Sequence, residues 1–229
     1  MKKQIFLLLF GLNTILFGSL GGFLPKENLN AQNEPVTVYK DMLAYLEVVG
    51  KDDSKQLIVL GSLYAAGTNI PDSTGAIIEQ DIFKAEKYLL KSANMGNPRA
   101  LTILSGFILT NNNMRKLDPN LEKTEKYLNK AFQKDLPAGT LLANLYFEKG
   151  FFDKAIDKLF ETASLGDSSA EFALALLLKQ GLTIEDKTYI KKDDKLAEMY
   201  LNKACLNKFK NQKLKDICSN SDMVQQTIN

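Results

Sequence analysis

KAEKYLLKSANMGNPRAL, from Lys84 to Leu101, is the stretch on which the fold turns. It returns as KTEKYLNKAFQKDLPAGT from Lys123, as KAIDKLFETASLGDSSAE from Lys154 and as LAEMYLNKACLNKFKNQK from Leu196. In register, the small residues Ala85, Thr124, Ala155 and Ala197 coincide, and each is followed four residues later by a leucine, at Leu89, Leu128, Leu159 and Leu201. Positions i and i+4 share one helix face, and a small residue beside a large one is what lets neighbouring helices pack closely. A motif that recurs every few tens of residues marks stacked supersecondary units rather than a single closed core.

A second set of segments alternates with the first. Leu60-Gly61, Tyr64 and Gly67 define one helix and its end; Leu104-Ser105, Ile108 and Asn111 take the same places in the next. Ala143-Asn144, Phe147 and Gly150 follow, then Leu174-Ala175, Leu178 and Gly181. Gly and Asn end helices at low cost because they tolerate the left-handed conformation. Each unit therefore reads as a helical hairpin. The aligned small residues are 39 (85 to 124), 31 (124 to 155) and 42 (155 to 197) residues apart. The variation lies in the loop inside each hairpin, with gaps of 18, 13, 5 and 16 from the helix-ending residue to the next small residue. Unequal loops are incompatible with the fixed heptad of a coiled coil.

The run LGxxYxxG at Leu60–Gly67, a variable loop, and KAxxYLxKSAxxGxxxA at Lys84–Ala100 resembles the Sel-one-like repeat (SLR), a relative of the tetratricopeptide repeat (TPR). The third unit, with five residues between Gly150 and Ala155, is closer to the TPR form. The resemblance covers Ser54 to about Cys218 and implies an all-α fold, an α-solenoid of antiparallel helical hairpins wound into a right-handed superhelix. Asn111 in place of Gly, Thr124 in place of Ala and Gln212 where a small residue belongs are departures, losses that would suit a terminal capping element. In SLR and TPR proteins the first helix of each pair lines a concave protein-binding face. By position, this implies partner contacts at Lys55, Ser62, Arg99, Thr102, Leu141, Leu145, Glu148, Phe172, Leu176 and Lys179. The apolar members Leu141, Leu145, Phe172 and Leu176 read equally well as core.

Around the repeats, Val36 to Val49 has helical apolar spacing and the segment 36–53 is expected to cap the first repeat; residues 219–229 read as a frayed tail. At the other end, Lys2 and Lys3 precede an apolar stretch from Ile5 to Phe17 and a small-residue run from Gly18 to Gly22, the layout of a secretory signal peptide within residues 1–31, cut after Gly21 or Ala31. An uncleaved anchor over Ile5–Leu24 is the alternative, weakened by its polar residues and glycines. The expected location is the periplasm or outside the cell.

Of the 229 residues, 29 are Lys or Arg and 27 are Asp or Glu, a formal charge of +2 that the signal lysines account for: either cut leaves a neutral mature chain. Neutrality removes the basic balance used by nucleic-acid binders. The absence of His excludes Ser-His-Asp and Cys-His catalysis and His-ligated zinc. No phosphate-binding, zincin or nucleophile-elbow motif appears. Asp52-Asp53 and Asp193-Asp194 stand just before helices and read as caps rather than metal ligands. Glu122, Glu125, Asp153 and Asp157 alternate with lysines on solvated faces, and Tyr88, Tyr127 and Tyr200 read as packing residues. A run of Lys203, Lys208, Lys210, Lys213 and Lys215 reads as a solvated cap or a docking patch for an acidic partner.

Cys205 and Cys218 lie on either side of a turn expected near Phe209–Gln212, so an antiparallel hairpin would bring them together. An exported chain forms disulfides; two free buried thiols, or a redox pair lacking CxxC, remain the alternatives. The sequence thus predicts a protein-interaction module without catalytic residues, cofactor or metal. The resemblance admits two uses, an immunity protein that neutralises a secreted toxin or an envelope scaffold. An enzyme of the β-lactamase or penicillin-binding type is the rival reading, because some cysteine-rich SLR proteins have been linked to β-lactams.

Overall fold

The computed structural model of the protein describes residues 39–68, 77–206 and 218. The expected signal peptide at 1–31, the expected tail at 219–229, the turn expected at 209–212 and the lysines 208, 210, 213 and 215 lie outside the described residues. The chain divides into two compact units at the junction of Ala131 and Phe132.

In the first unit, α1 (Tyr39–Val49) runs into a 3-10 turn (Gly50–Asp52), and α2 (Ser54–Ala66) pairs with α3 (Ile82–Asn94). Then come α4 (Arg99–Thr110), the short α5 (Asn112–Arg115) and most of α6 (Glu122–Phe132). Aspartates start α2 and α3. Asp53 accepts from the Lys55 and Gln56 amides at 2.7 and 3.3 Å, and Asp81 from those of Phe83 and Lys84 at 3.1 and 2.9 Å. These are the orphan N–H groups of a first helical turn, and capping them is worth about 1 kcal/mol each. Gly67 ends α2 at φ 66°, where a side chain would be strained.

Close packing of α2 on α3 explains the small-plus-leucine motif. Ala85 and Leu89 are fully buried, and a Cβ on Gly61 would stand 2.6 Å from Leu89 Cγ. Only glycine admits that leucine. Ser92 Oγ donates to Ser54 O at 2.6 Å and satisfies the polar atom that the contact would otherwise strand.

Two departures from the repeat pattern have local causes. The Thr124 amide donates to buried Asp118 at 2.6 Å, so a carboxylate six residues upstream caps α6, and threonine in place of alanine adds a hydroxyl that donates to the same carboxylate at 2.7 Å. Asn111 does not end α4 in the left-handed conformation expected of it; its φ is −116°. Its side chain instead accepts from the amides of Asn113 and Met114, at 2.9 and 3.2 Å, and starts α5.

The second unit holds α7 (Pro137–Glu148), α8 (Phe152–Ser164), α9 (Ser168–Gln180) and α10 (Asp194–Leu206). Neighbours pack in sequence, α7 on α8, α8 on α9 and α9 on α10. The core runs through Ala143, Ala155, Leu159, Ala170, Leu174 and Ala197, with a second cluster of Phe172, Ala175, Leu201 and Ala204. Burying each leucine contributes roughly 1.5–3 kcal/mol.

The all-α expectation omits one element. The loop between α9 and α10 folds into an antiparallel ribbon, β1 (Leu182–Ile184) with β2 (Lys187–Ile190). Its two-residue turn, Glu185-Asp186, has φ of 48° and 66°, the positive pair a tight hairpin requires. Leu182 and Ile190 face inward and join the core, while Phe152 meets Tyr189 edge-on at 5.2 Å. Among the described residues no helix is long and apolar enough to cross a membrane.

Candidate functional site

The first helices of the four hairpins are α2, α4, α7 and α9, and the structure sorts their sequence-predicted contact residues by depth. Lys55 and Glu148 are exposed, and Arg99, Leu176 and Lys179 are partly exposed. Ser62, Thr102, Leu141, Leu145 and Phe172 are buried at 7, 7, 2, 0 and 2% exposure. The apolar centre expected for the surface is therefore core at Leu141, Leu145 and Phe172, and only Leu176 of that group reaches solvent. A helix whose neighbours pack on both sides has little face left to offer, and its polar ends remain accessible. Lys179 pairs with Asp194 at 3.1 Å.

The capping reading of the aspartate pairs holds at Asp53 and at Asp193, which accepts from the Leu196 amide at 2.9 Å. Asp167 caps α9 from a buried position. It accepts from the Ala170 amide at 2.9 Å and from Thr140 Oγ1 at 2.8 Å, and burial pushes its carboxyl above the usual range despite those two donors.

A polar cluster, not apparent from sequence, ties α1 to the first hairpin. Tyr64 and Tyr88 both donate to Glu47 Oε1, at 2.8 and 3.3 Å, and their rings stack with centroids 5.9 Å apart. Lys84 donates to the Tyr64 hydroxyl at 3.3 Å and lies 4.6 Å from that ring's centroid. Burial, reinforced by the hydrogen bond and charge of Glu47, raises the Tyr64 phenol to about 12. Beside this cluster a groove of about 460 Å³ opens between Leu43, Tyr64, Ile77, Phe83 and Lys116. Tyr88 thus packs, as its repeat position implies, and also bonds. Tyr200 meets Phe160 edge-on at 6.2 Å.

Cys205 and Cys218 are joined in a disulfide with Cα atoms 5.7 Å apart, within the usual span of such a bridge. Cys205 stands where Ala93 and Ala163 stand in earlier repeats.

No family model matches the sequence, and no curated protein matches it. Solved structures do. A protective antigen present in uropathogenic Escherichia coli strains, which displays an SLR fold, is 22% identical with a TM-score of 0.53, over 82% of this chain and 38% of that one. A Sel1 repeat protein from Oxalobacter formigenes is 18% identical with a TM-score of 0.53, over 93% of this chain and 79% of that one. The chain has the SLR fold, a TPR-like helical-repeat architecture. It spans well under half the length of the Escherichia coli protein.

Proposed function

We propose that the protein is a non-catalytic interaction module whose partner is another protein, bound by the accessible ends of the first helices. The observation that carries this reading is the SLR fold itself, because stacked hairpins supply extended surface rather than an enclosed reaction site. Lys55 and Arg99 in the first unit, and Glu148, Leu176 and Lys179 in the second, are the contact residues proposed, each group on its own unit, with the buried members of the set acting as support. Export agrees with the reading: the N-terminal residues have a signal-peptide layout, and the Escherichia coli neighbour is described as a protective antigen. A disulfide at the last described helix suits an oxidising compartment. Neutralising a secreted toxin and scaffolding envelope proteins are the two uses that fit. Affinity capture from the native envelope tests the proposal. Wild-type protein retains a partner, and Lys55→Glu, Glu148→Lys and Lys179→Glu together release it without loss of helical circular dichroism. Retention by the triple variant removes this surface.

A further inference from the structure

The second helices carry a different surface. On α3, Lys84, Lys87 and Lys91 follow i, i+3, i+7 spacing, and on α6 Lys123, Lys126 and Lys130 repeat it at the equivalent positions. All are exposed. That spacing sets three ammonium groups along one helix face, over a rise of roughly 10 Å. Both helices belong to the first unit, where burial first, and then the charges of Glu86 on α3 and of Asp118, hold the Tyr127 phenol of α6 above its ordinary value. Glu86, Glu122 and Glu125 are the acids on these two helices, yet none of the lysines is in an ion pair with another described residue.

Helix packing does not demand the rows. At the same repeat positions α8 has Lys154, Asp157 and Glu161, and α10 has Leu196, Met199 and Lys203. Lys84 also serves the Tyr64 cluster, and the Lys87 ammonium lies 5.8 Å from the Tyr88 ring centroid, but the fold accepts acid, base or hydrocarbon at these positions elsewhere, so the rows as rows are chemistry added to the scaffold. The row on α3 begins beside the groove, where Phe83 and Ile77 are 71% and 52% exposed. Glu79 and Asp81 also border the groove, and the Asp81 carboxylate is already engaged with the amides of Phe83 and Lys84.

We propose that the outer face of α3 and α6, together with this groove, binds an acidic protein segment whose carboxylates meet the lysine rows and whose apolar side chain enters beside Phe83. Complementary charge supplies approach and register, and the apolar contact supplies residence. This surface lies on the second helices and is separate from the first-helix surface proposed above, although it rests on the same reading of the chain as a protein-binding module.

The test uses the full chain with three labelled probes: poly-L-glutamate, vesicles of phosphatidylglycerol and phosphatidylcholine, and a DNA duplex. Poly-L-glutamate is expected to bind, more weakly as salt rises. Reversing Lys87, Lys91, Lys126 and Lys130 to Glu weakens that binding about tenfold or more, given what exposed charge pairs contribute. Lys191→Glu with Lys195→Glu, exposed lysines of the other unit, leaves poly-L-glutamate binding within about twofold of wild type. An acidic peptide carrying one Phe binds more tightly than poly-L-glutamate, and Phe83→Ser removes that advantage. Equal affinity of the four-lysine variant, or stronger binding of vesicles or DNA than of poly-L-glutamate, overturns the proposal. If the native partner is still captured while the variant and wild type treat poly-L-glutamate alike, this surface fails and the protein-binding reading survives.

Discussion

Gly139→Ala adds one methyl group where α7 meets α8. Gly139 is buried, and a Cβ built there runs into Thr162 Oγ1 and the ring of Phe132. Neither neighbour yields freely. Thr162 Oγ1 donates to Lys158 O at 2.7 Å, so turning it away breaks a hydrogen bond at a fully buried residue. The Phe132 ring carries the Lys158 ammonium 4.6 Å from its centroid. Overpacking of this kind costs about 1–3 kcal/mol, and the lost hydrogen bond adds roughly 0.5–1.5 kcal/mol. Against these, exchanging a helical glycine for alanine gains up to about 1 kcal/mol. The net expectation is a loss of roughly 2 kcal/mol, or about 4–8 °C in Tm for a chain of this size. Urea unfolding followed by helical circular dichroism measures it, with a lower midpoint at unchanged slope. Gly139→Ala combined with Thr162→Ala clears one side of the contact, so the pair is expected to cost about 0.5 kcal/mol or more less than the sum of the single variants. A Gly139→Ala protein as stable as wild type would refute the close approach of α7 and α8.

Three further perturbations separate the forces at work. Asp167→Asn keeps an acceptor for Thr140 and Ala170 and removes a buried charge. The folded-state pKa of Asp167 is raised, so its favourable contribution is complete below the unfolded value near 3.8 and is lost as pH rises; the Asn variant therefore gains on wild type between acid and neutral pH, as paired denaturation curves would show. Tyr64→Phe loses a hydrogen bond to a carboxylate, about 1–2 kcal/mol. Because its phenol is raised from 10.0 to about 12, wild type loses stability across that alkaline interval, and the Phe variant's stability is flat there by comparison. Cys205→Ser opens a bridge between residues 13 apart, worth about 3 kcal/mol in the chain-entropy model. Alkylation followed by intact-mass measurement shows no thiol in the wild type before reduction, and two labelled thiols would contradict the bridge.

The repeats were legible because their signal is covalent and local: a small residue and a leucine four positions apart, closed by Gly67, Gly150 and Gly181, all at positive φ. What escaped reading depended on which side chain meets which backbone group, something the repeat pattern does not specify even for near neighbours. Thr124 looks like a defect until Asp118 is seen beneath it, and Asn111 looks like a stop until its side chain is seen starting α5. The β-ribbon was concealed by its turn, since Glu185-Asp186 lacks the Asn-Gly signal, although Thr183, Ile184, Thr188, Tyr189 and Ile190 carry strand character. Site residues fared least well, because position in a repeat fixes which helix a residue occupies but not how deeply the neighbouring helices bury it. Leu141, Leu145 and Phe172 illustrate that limit. The lysine rows were readable in the aligned repeats and only gained meaning once α8 and α10 showed that the positions are free to vary.

The central claim, that this fold serves to hold another protein, is tested most directly by quantitative affinity capture from the native envelope. Wild type and the Lys55→Glu, Glu148→Lys, Lys179→Glu variant are compared at equal loading. The account predicts one protein recovered in stoichiometric amount with wild type and depleted with the variant. Recovery of no protein partner under any condition, or equal recovery with both, would contradict it.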